Sequence, residues 1–215
     1  MKNLIINLLL FFYCYSSRIT TIIFYINVTI RVFNRIVTFY YGVDILLTNH
    51  IVLFEPLIPA NTGNIARTCA ATNTILDLIK PLGFSTDDKH LKRAGLDYWS
   101  KVRIYYHNNL DEFLSSMSSH SKMFLISKFA DKIYSNENFS DISYDYYFIF
   151  GRETTGLPAP FQRENRDKNL RIPMTDNVRS LNLSNCASII IYEVLRQQNF
   201  KGLNLVYFYP NDKLK

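Results

Sequence analysis

Tyr146-Tyr-Phe-Ile-Phe150 is an unbroken apolar run of strand length, and few folds have a place for it. Side chains alternate across a strand, so a strand built from this run is apolar on both faces and needs cover on both. That is the situation inside a parallel sheet layered between helices. The flanking sequence fits such a sheet. Residues 51–54, 74–79, 102–106 and 122–127 read as further short strands, and 65–71, 87–93 and 111–116 as helices. Pro56 and Pro59 close the first strand, Pro81-Leu-Gly83 closes the second, and Gly95 stops the charged helix at 87–93. The Asn- and Ser-rich stretch 135–143 reads as a polar loop. Strands alternating with helices on short connections predict a doubly wound α/β sheet, in which ligands sit beyond the carboxyl ends of the strands.

Three loops carry unusual polar content. The stretch 171–193 begins as a strand end, turns polar, and becomes a long helix in which Ala187, Ile190, Ile191, Val194 and Leu195 follow the spacing of one buried face. Arg179, Ser180, Asn182, Ser184 and Asn185 crowd its start, placing the helix N-terminus near 181–184. A helix N-terminus fed by such a loop suits a polar or anionic ligand, while a well-capped core helix explains the same residues. Asn61-Thr-Gly-Asn-Ile-Ala-Arg67 reads as a turn and N-cap, which sets Arg67 in the first helical turn. A cation there opposes the helix dipole and calls for an anionic partner, and a solvated surface arginine is the plainer alternative. Gly151-Arg-Glu-Thr-Thr-Gly-Leu-Pro158 follows the buried run directly. It fits neither GxxxxGK[ST] nor GxGxxG, so it is no nucleotide-phosphate loop of those kinds.

Composition narrows the classes further. At 215 residues the chain holds one sizeable α/β domain, with or without an appendage. A net charge of +6 is compatible with nucleic acid or an anionic surface without requiring either. Cys14, Cys69 and Cys186 are widely spaced and form no CxxC pair, so neither a disulfide framework nor a zinc site is expected, and Cys69 and Cys186 read as small buried apolar residues. A reducing, cytoplasmic setting follows. Residues 1–48 read differently, with only Lys2, Arg18, Arg31, Arg35 and Asp44 charged among dense Ile, Phe, Tyr and Leu. A membrane anchor, an unusual extension and translated sequence upstream of the true start compete, and the abrupt change near Asn49 favours the last. The expected organisation is a hydrophobic extension, 1–48, ahead of one catalytic domain, 49–215, with a membrane role only if 1–48 is genuine.

Taken in order, Asn61-Thr-Gly-Asn-Ile-Ala-Arg67, Gly151-Arg-Glu-Thr-Thr-Gly-Leu-Pro158 and Ile172-Pro-Met with Arg179-Ser-Leu-Asn-Leu-Ser-Asn185 resemble the three motifs of the SpoU branch of the SPOUT RNA methyltransferases. Phe54-Glu-Pro56, Pro81-Leu-Gly-Phe84, Asp87-Asp-Lys89 and Arg93-Ala-Gly-Leu-Asp-Tyr98 are similar to the small tRNA (cytidine/uridine-34)-2′-O-methyltransferases within it. The resemblance covers roughly 50–200. It implies a parallel sheet flanked by helices with a C-terminal deep trefoil knot, and S-adenosylmethionine held by Leu125, Gly151, Ile172 and Ser180, with no metal. It implies catalytic or positioning roles for Arg67, Asn61, Glu153, Ser180 and Asn182. The substrate implied is the anticodon stem-loop of tRNA, methylated at the wobble 2′-hydroxyl, and the assembly a homodimer with Tyr192 and Glu193 on the last helix. Another tRNA position, ribosomal RNA, or an inactive RNA-binding member are the alternatives. Lys89, Lys92 and Arg93 beside His90 form the candidate phosphate grip, and Tyr98, Trp99 and Tyr105 the candidate stacking surfaces.

Overall fold

The apolar run lies at the centre of a seven-stranded sheet. The computed structural model describes residues 48–85 and 99–206, all within the unit Leu47–Lys215. The segment 1–47, the helix expected over 87–93 with its basic cluster, and Tyr98 lie outside the described residues. In chain order the elements are β1 (Asn49–Phe54), α1 (Pro59–Thr72), β2 (Ile75–Ile79), β3 (Ile104–His107), α2 (Leu110–Ser116), β4 (Ser121–Ile126), β5 (Lys132–Ile133), β6 (Asp145–Phe150), α3 (Ala159–Glu164), β7 (Asn169–Arg171) and α4 (Leu183–Gln197). The strand order is β3-β2-β1-β6-β4-β7-β5, and every pairing is parallel. This is the α/β sheet flanked by helices that the alternation predicts.

Each face of β6 is buried in its own core. Tyr146, Phe148 and Phe150 pack with Ile51, Leu53, Leu76 and Leu78 beneath α1 and α4, which contribute Ile65, Ala66, Ala187, Ile190, Ile191, Val194 and Leu195. Tyr147 and Ile149 pack with Val52, Phe54, Ile79 and Leu125 on the opposite face, covered by Phe113 of α2 and Phe161 of α3. The expected apolar face of α4 is therefore the buried one. Inside the second core Asp77 is buried between two histidines, accepting from His50 Nδ1 at 2.7 Å and His107 Nε2 at 2.8 Å. Those contacts tie β1, β2 and β3 together and meet the demand that a buried carboxylate be hydrogen-bonded.

Two expectations need correction. The stretch 135–143 is no simple polar loop, because Phe139 within it is fully buried against Phe124, Tyr146 and Phe148. Gln197 pins it by accepting from Phe139 N at 2.8 Å and donating to Glu137 O at 3.1 Å. The first helix starts at Pro59, not near residue 64. Proline at the first helical position costs nothing, since that N–H has no intrahelical partner. Asn61, Thr62 and Gly63 are buried in the helix rather than exposed in a turn.

Burial pushes the hydroxyls of Tyr146 and Tyr147 up to about 12 from an ordinary 10.0, with nearby carboxylates adding to the effect. A raised folded-state value means stability that is complete below pH ~10 and lost as the pH climbs through ~12. Chemical-denaturation stability is expected to fall over that window, and less steeply in Tyr146→Phe and Tyr147→Phe. A pH-independent stability from 9 to 12 would contradict the burial argument.

Candidate active site

At the carboxyl ends of β4, β6 and β7 the chain leaves a cavity of about 470 Å³. Its walls include Phe150, Gly151 and Glu153 after β6, Ile126 to Phe129 after β4, Ile172 and Met174 after β7, and Ser180, Asn182, Leu183 and Cys186 at the start of α4. Asn61 and Ile58 complete the rim from α1. Two stretches that read as polar loops, 151–158 and 172–185, thus meet Asn61 of the third, now part of α1, at the end of the sheet where ligands bind in such folds.

The loop after β6 is shaped by two glycines. Arg152 N and Gly156 O, and Gly156 N and Arg152 O, bond at 3.2 and 2.9 Å, folding the loop back on itself. A Cβ at Gly151 would lie 2.2 Å from the Gly156 carbonyl carbon, so only glycine fits, and Gly156 itself has φ of +73°. The backbone that approaches Gly151 is therefore its own loop. Arg152 forms an ion pair with Glu55, which anchors the loop to the end of β1.

Glu153 does more than line the cavity. Its carboxylate accepts from Leu57 N at 2.9 Å, Ile58 N at 3.2 Å and Asn61 Nδ2 at 3.1 Å. Ile58 is the N-cap of α1 and offers no side-chain cap of its own, so Glu153 caps that helix from a distant part of the chain. A carboxylate is also the favourable charge at that end of the helix dipole. Asn61 passes the connection on: its Oδ1 accepts from Asn182 Nδ2 at 3.0 Å. Asn182 Oδ1 in turn accepts from Ser184 N at 2.9 Å, Ser184 Oγ at 2.7 Å and Asn185 N at 3.4 Å, which makes Asn182 the N-cap of α4.

Of the residues singled out in sequence, Asn61, Glu153, Gly151, Ile172, Ser180 and Asn182 stand together around the cavity. Leu125 is fully buried in the core on the opposite face, and the next residue, Ile126, reaches the cavity instead. Arg67 is exposed and outside the cavity wall. With α1 starting at Pro59 it sits in the third turn, about 9 Å along the axis from Asn61 and about 120° around it, so the first-turn placement is corrected. Cys69 is buried as expected, but Cys186 is half-buried and lines the cavity. Burial nonetheless raises its thiol above the ordinary value, which disfavours a thiolate nucleophile.

Sequence reading missed α3, whose Gln162 lines the cavity and accepts from Ser127 Oγ at 2.7 Å. The prolines at 158 and 160 were its one local signal. Among the aromatic candidates, Tyr105 is exposed on the edge strand β3 and Trp99 packs against the first core. Neither borders the cavity; the exposed aromatic there is Phe129. Among the described residues no cluster suited to a metal ion occurs, and no helix is long and apolar enough to cross a membrane.

Residues 48–192 match the SpoU rRNA Methylase family. A Lactococcus lactis subsp. cremoris protein, named provisionally as a tRNA (cytidine(34)-2′-O)-methyltransferase, is 62% identical over 168 residues, 78% of this chain and 99% of that protein. A crystal structure described provisionally as an RNA methyltransferase from Bacillus anthracis is 59% identical with a TM-score of 0.71, covering 73% of this chain and 98% of that one. A structure concerned with 2′-OH methylation of C/U34 on tRNA is 39% identical with a TM-score of 0.65, covering 71% and 97%.

Removing the Glu153 carboxylate takes away the cap of α1, so Glu153→Ala is expected to cost about 0.5–2 kcal/mol in urea unfolding, with Glu153→Gln costing less. Asn61→Ala and Asn182→Ala should be non-additive with each other by ~0.5 kcal/mol or more. Simple additivity would show that the two amides act separately.

Proposed function

The chain belongs to the SpoU rRNA methylase family, and from that premise we propose that it methylates the ribose 2′-hydroxyl of nucleotide 34 of tRNA, using S-adenosylmethionine. The observation that carries the substrate is the 62% identity to the Lactococcus relative across 99% of that protein, which bears the cytidine-34 activity in its name. The likeness to the structure concerned with C/U34 extends the reading to a wobble uridine.

The cavity fits the methyl donor in kind. Its volume falls within the ~300–1,000 Å³ of small-molecule sites, and Phe150, Ile172, Leu181 and Leu183 offer apolar walls beside the backbone of three loops. Ile126, Gly151, Ile172 and Ser180 would hold it, with Ile126 replacing Leu125 as the side chain at the wall. When bound, the donor supplies an electrophilic methyl on a sulfonium. The protein's part is to hold the loops in place, keep water out and set the ribose oxygen in line. Glu153 and Asn182 serve as positioning residues through Asn61.

The topology supports the knotted reading. β7 inserts between β4 and β5, two strands joined by the short connection 127–131, which must bridge the inserted strand. In this reading the chain threads there to form the trefoil knot, and two copies pack as a homodimer. A guanidinium makes a poor general base, so Arg67 is assigned no proton-transfer role. It grips an RNA phosphate and steadies charge growing on the ribose oxygen, whose proton leaves through that phosphate or water.

Full-length protein incubated with S-adenosylmethionine and tRNA lacking wobble ribose methylation is expected to methylate nucleotide 34, read by mass spectrometry of digested tRNA. Arg67→Ala should lower kcat/KM for tRNA about 100-fold while leaving donor affinity within about twofold. Methylation at another nucleotide would move the substrate, and near-normal turnover by Arg67→Ala would remove that residue from the chemistry.

A further inference from the structure

Phe129 is 76% exposed at the mouth of the cavity. A large apolar ring left in water forgoes the stabilisation its burial would bring, and a floppy loop would be the ordinary explanation. Its surroundings argue otherwise. Ser127 N donates to Leu170 O at 2.9 Å, and Ser127 Oγ donates to Gln162 Oε1 at 2.7 Å. Phe129 N donates to Ser127 Oγ at 3.3 Å and Ala130 N to Ser127 O at 3.3 Å, while the Ala130 side chain is buried. The turn is tied to β7, to α3 and to the core, and presents one ring outward from a fixed base. Lys128 places its ammonium over one face of that ring, 5.0 Å from its centre.

A rigid exposed aromatic, with a lysine beside it and a cofactor-sized cavity behind it, has the parts of a single-strand nucleic-acid platform. With the ammonium over one face, a base meets the other face of the ring, and the cation stays close enough to that stack to reach a phosphate of the same strand. We infer that Phe129 stacks on an unpaired base of the substrate RNA loop, with Lys128 contacting the adjoining phosphate, so that the turn after β4 positions the target ribose over the cavity. This rests on the proposed function and names the contact by which that site takes hold of its RNA. It also moves the stacking role away from Trp99 and Tyr105, neither of which borders the cavity.

The test measures binding of an anticodon stem-loop RNA with cytidine at position 34 to the full-length protein, alongside donor affinity and sedimentation. Phe129→Ala is expected to weaken RNA binding roughly 10-fold or more, with donor affinity within about twofold and the sedimentation profile unchanged. Phe129→Trp should bind within about threefold of wild type, because the π-face is restored. An abasic nucleotide at one loop position should weaken wild type as much as Phe129→Ala does and weaken that variant no further. Unchanged RNA affinity in Phe129→Ala, penalties that add in full at every loop position, or a changed sedimentation profile would each overturn the inference. The last of these would make the ring a protein contact. If wild type transfers no methyl to tRNA, the functional reading itself falls. Wild-type transfer with an unaffected Phe129→Ala overturns the stacking alone.

Discussion

Glu153 decides where three separated loops stand. A helix beginning with Pro59 has no local side chain to receive the N–H groups at its entrance, and Ile58 at the N-cap supplies none. The carboxylate that receives them arrives from the loop after β6, the strand whose apolar run fixes the middle of the sheet. Through Asn61 and Asn182 the same chain of hydrogen bonds reaches the N-terminus of α4. The ends of β6, α1 and α4 are therefore a single hydrogen-bonded unit. The cavity wall they form is set by hydrogen bonds among Glu153, Asn61, Asn182 and the backbone N–H groups they receive. Such a partly buried network is worth most when every member is satisfied, and each loss leaves the next group without its partner.

That arrangement explains what could and could not be read from the residues in order. The central strand and the buried face of α4 declare themselves, because an unbroken apolar run and 3.6-residue periodicity are local properties. The start of α1 does not. Asn61-Thr-Gly-Asn has the composition of a turn and cap, yet the true cap lies 95 and 96 residues away, and no window of sequence contains both. The first-turn placement of Arg67 followed from that same displacement. Phe139 is a similar case. One ring in an Asn- and Ser-rich segment reads as incidental until Gln197 and Gln198, the last residue and the C-cap of α4, hold its backbone in place. Of the site itself, the polar loops and their convergence were legible from their positions at strand ends, whereas Gln162 and Phe129 were not, because a short helix and a turn leave little periodic signal.

Charge alone accounts for little of the expected RNA binding. Lys2, Arg18, Arg31 and Arg35, set against Asp44, place half of the net +6 within residues 1–48. The remainder of the chain is only weakly basic. At the cavity, Arg152 is committed to Glu55, so its charge is largely answered within the protein. Counterion release scales with the number of phosphates neutralised, and a weakly basic surface gains from it affinity that does not depend on sequence. Discrimination on such a surface has to come from contacts that depend on shape. A ribose hydroxyl entering a fixed cavity and an unstacked base meeting a fixed ring supply it, since a paired base in a duplex offers neither. The connection 127–131, which bridges β4 and β5 across the inserted β7, then has a consequence for substrate choice. It holds the turn carrying Phe129 still, and a platform that does not move when RNA arrives loses little conformational freedom on binding.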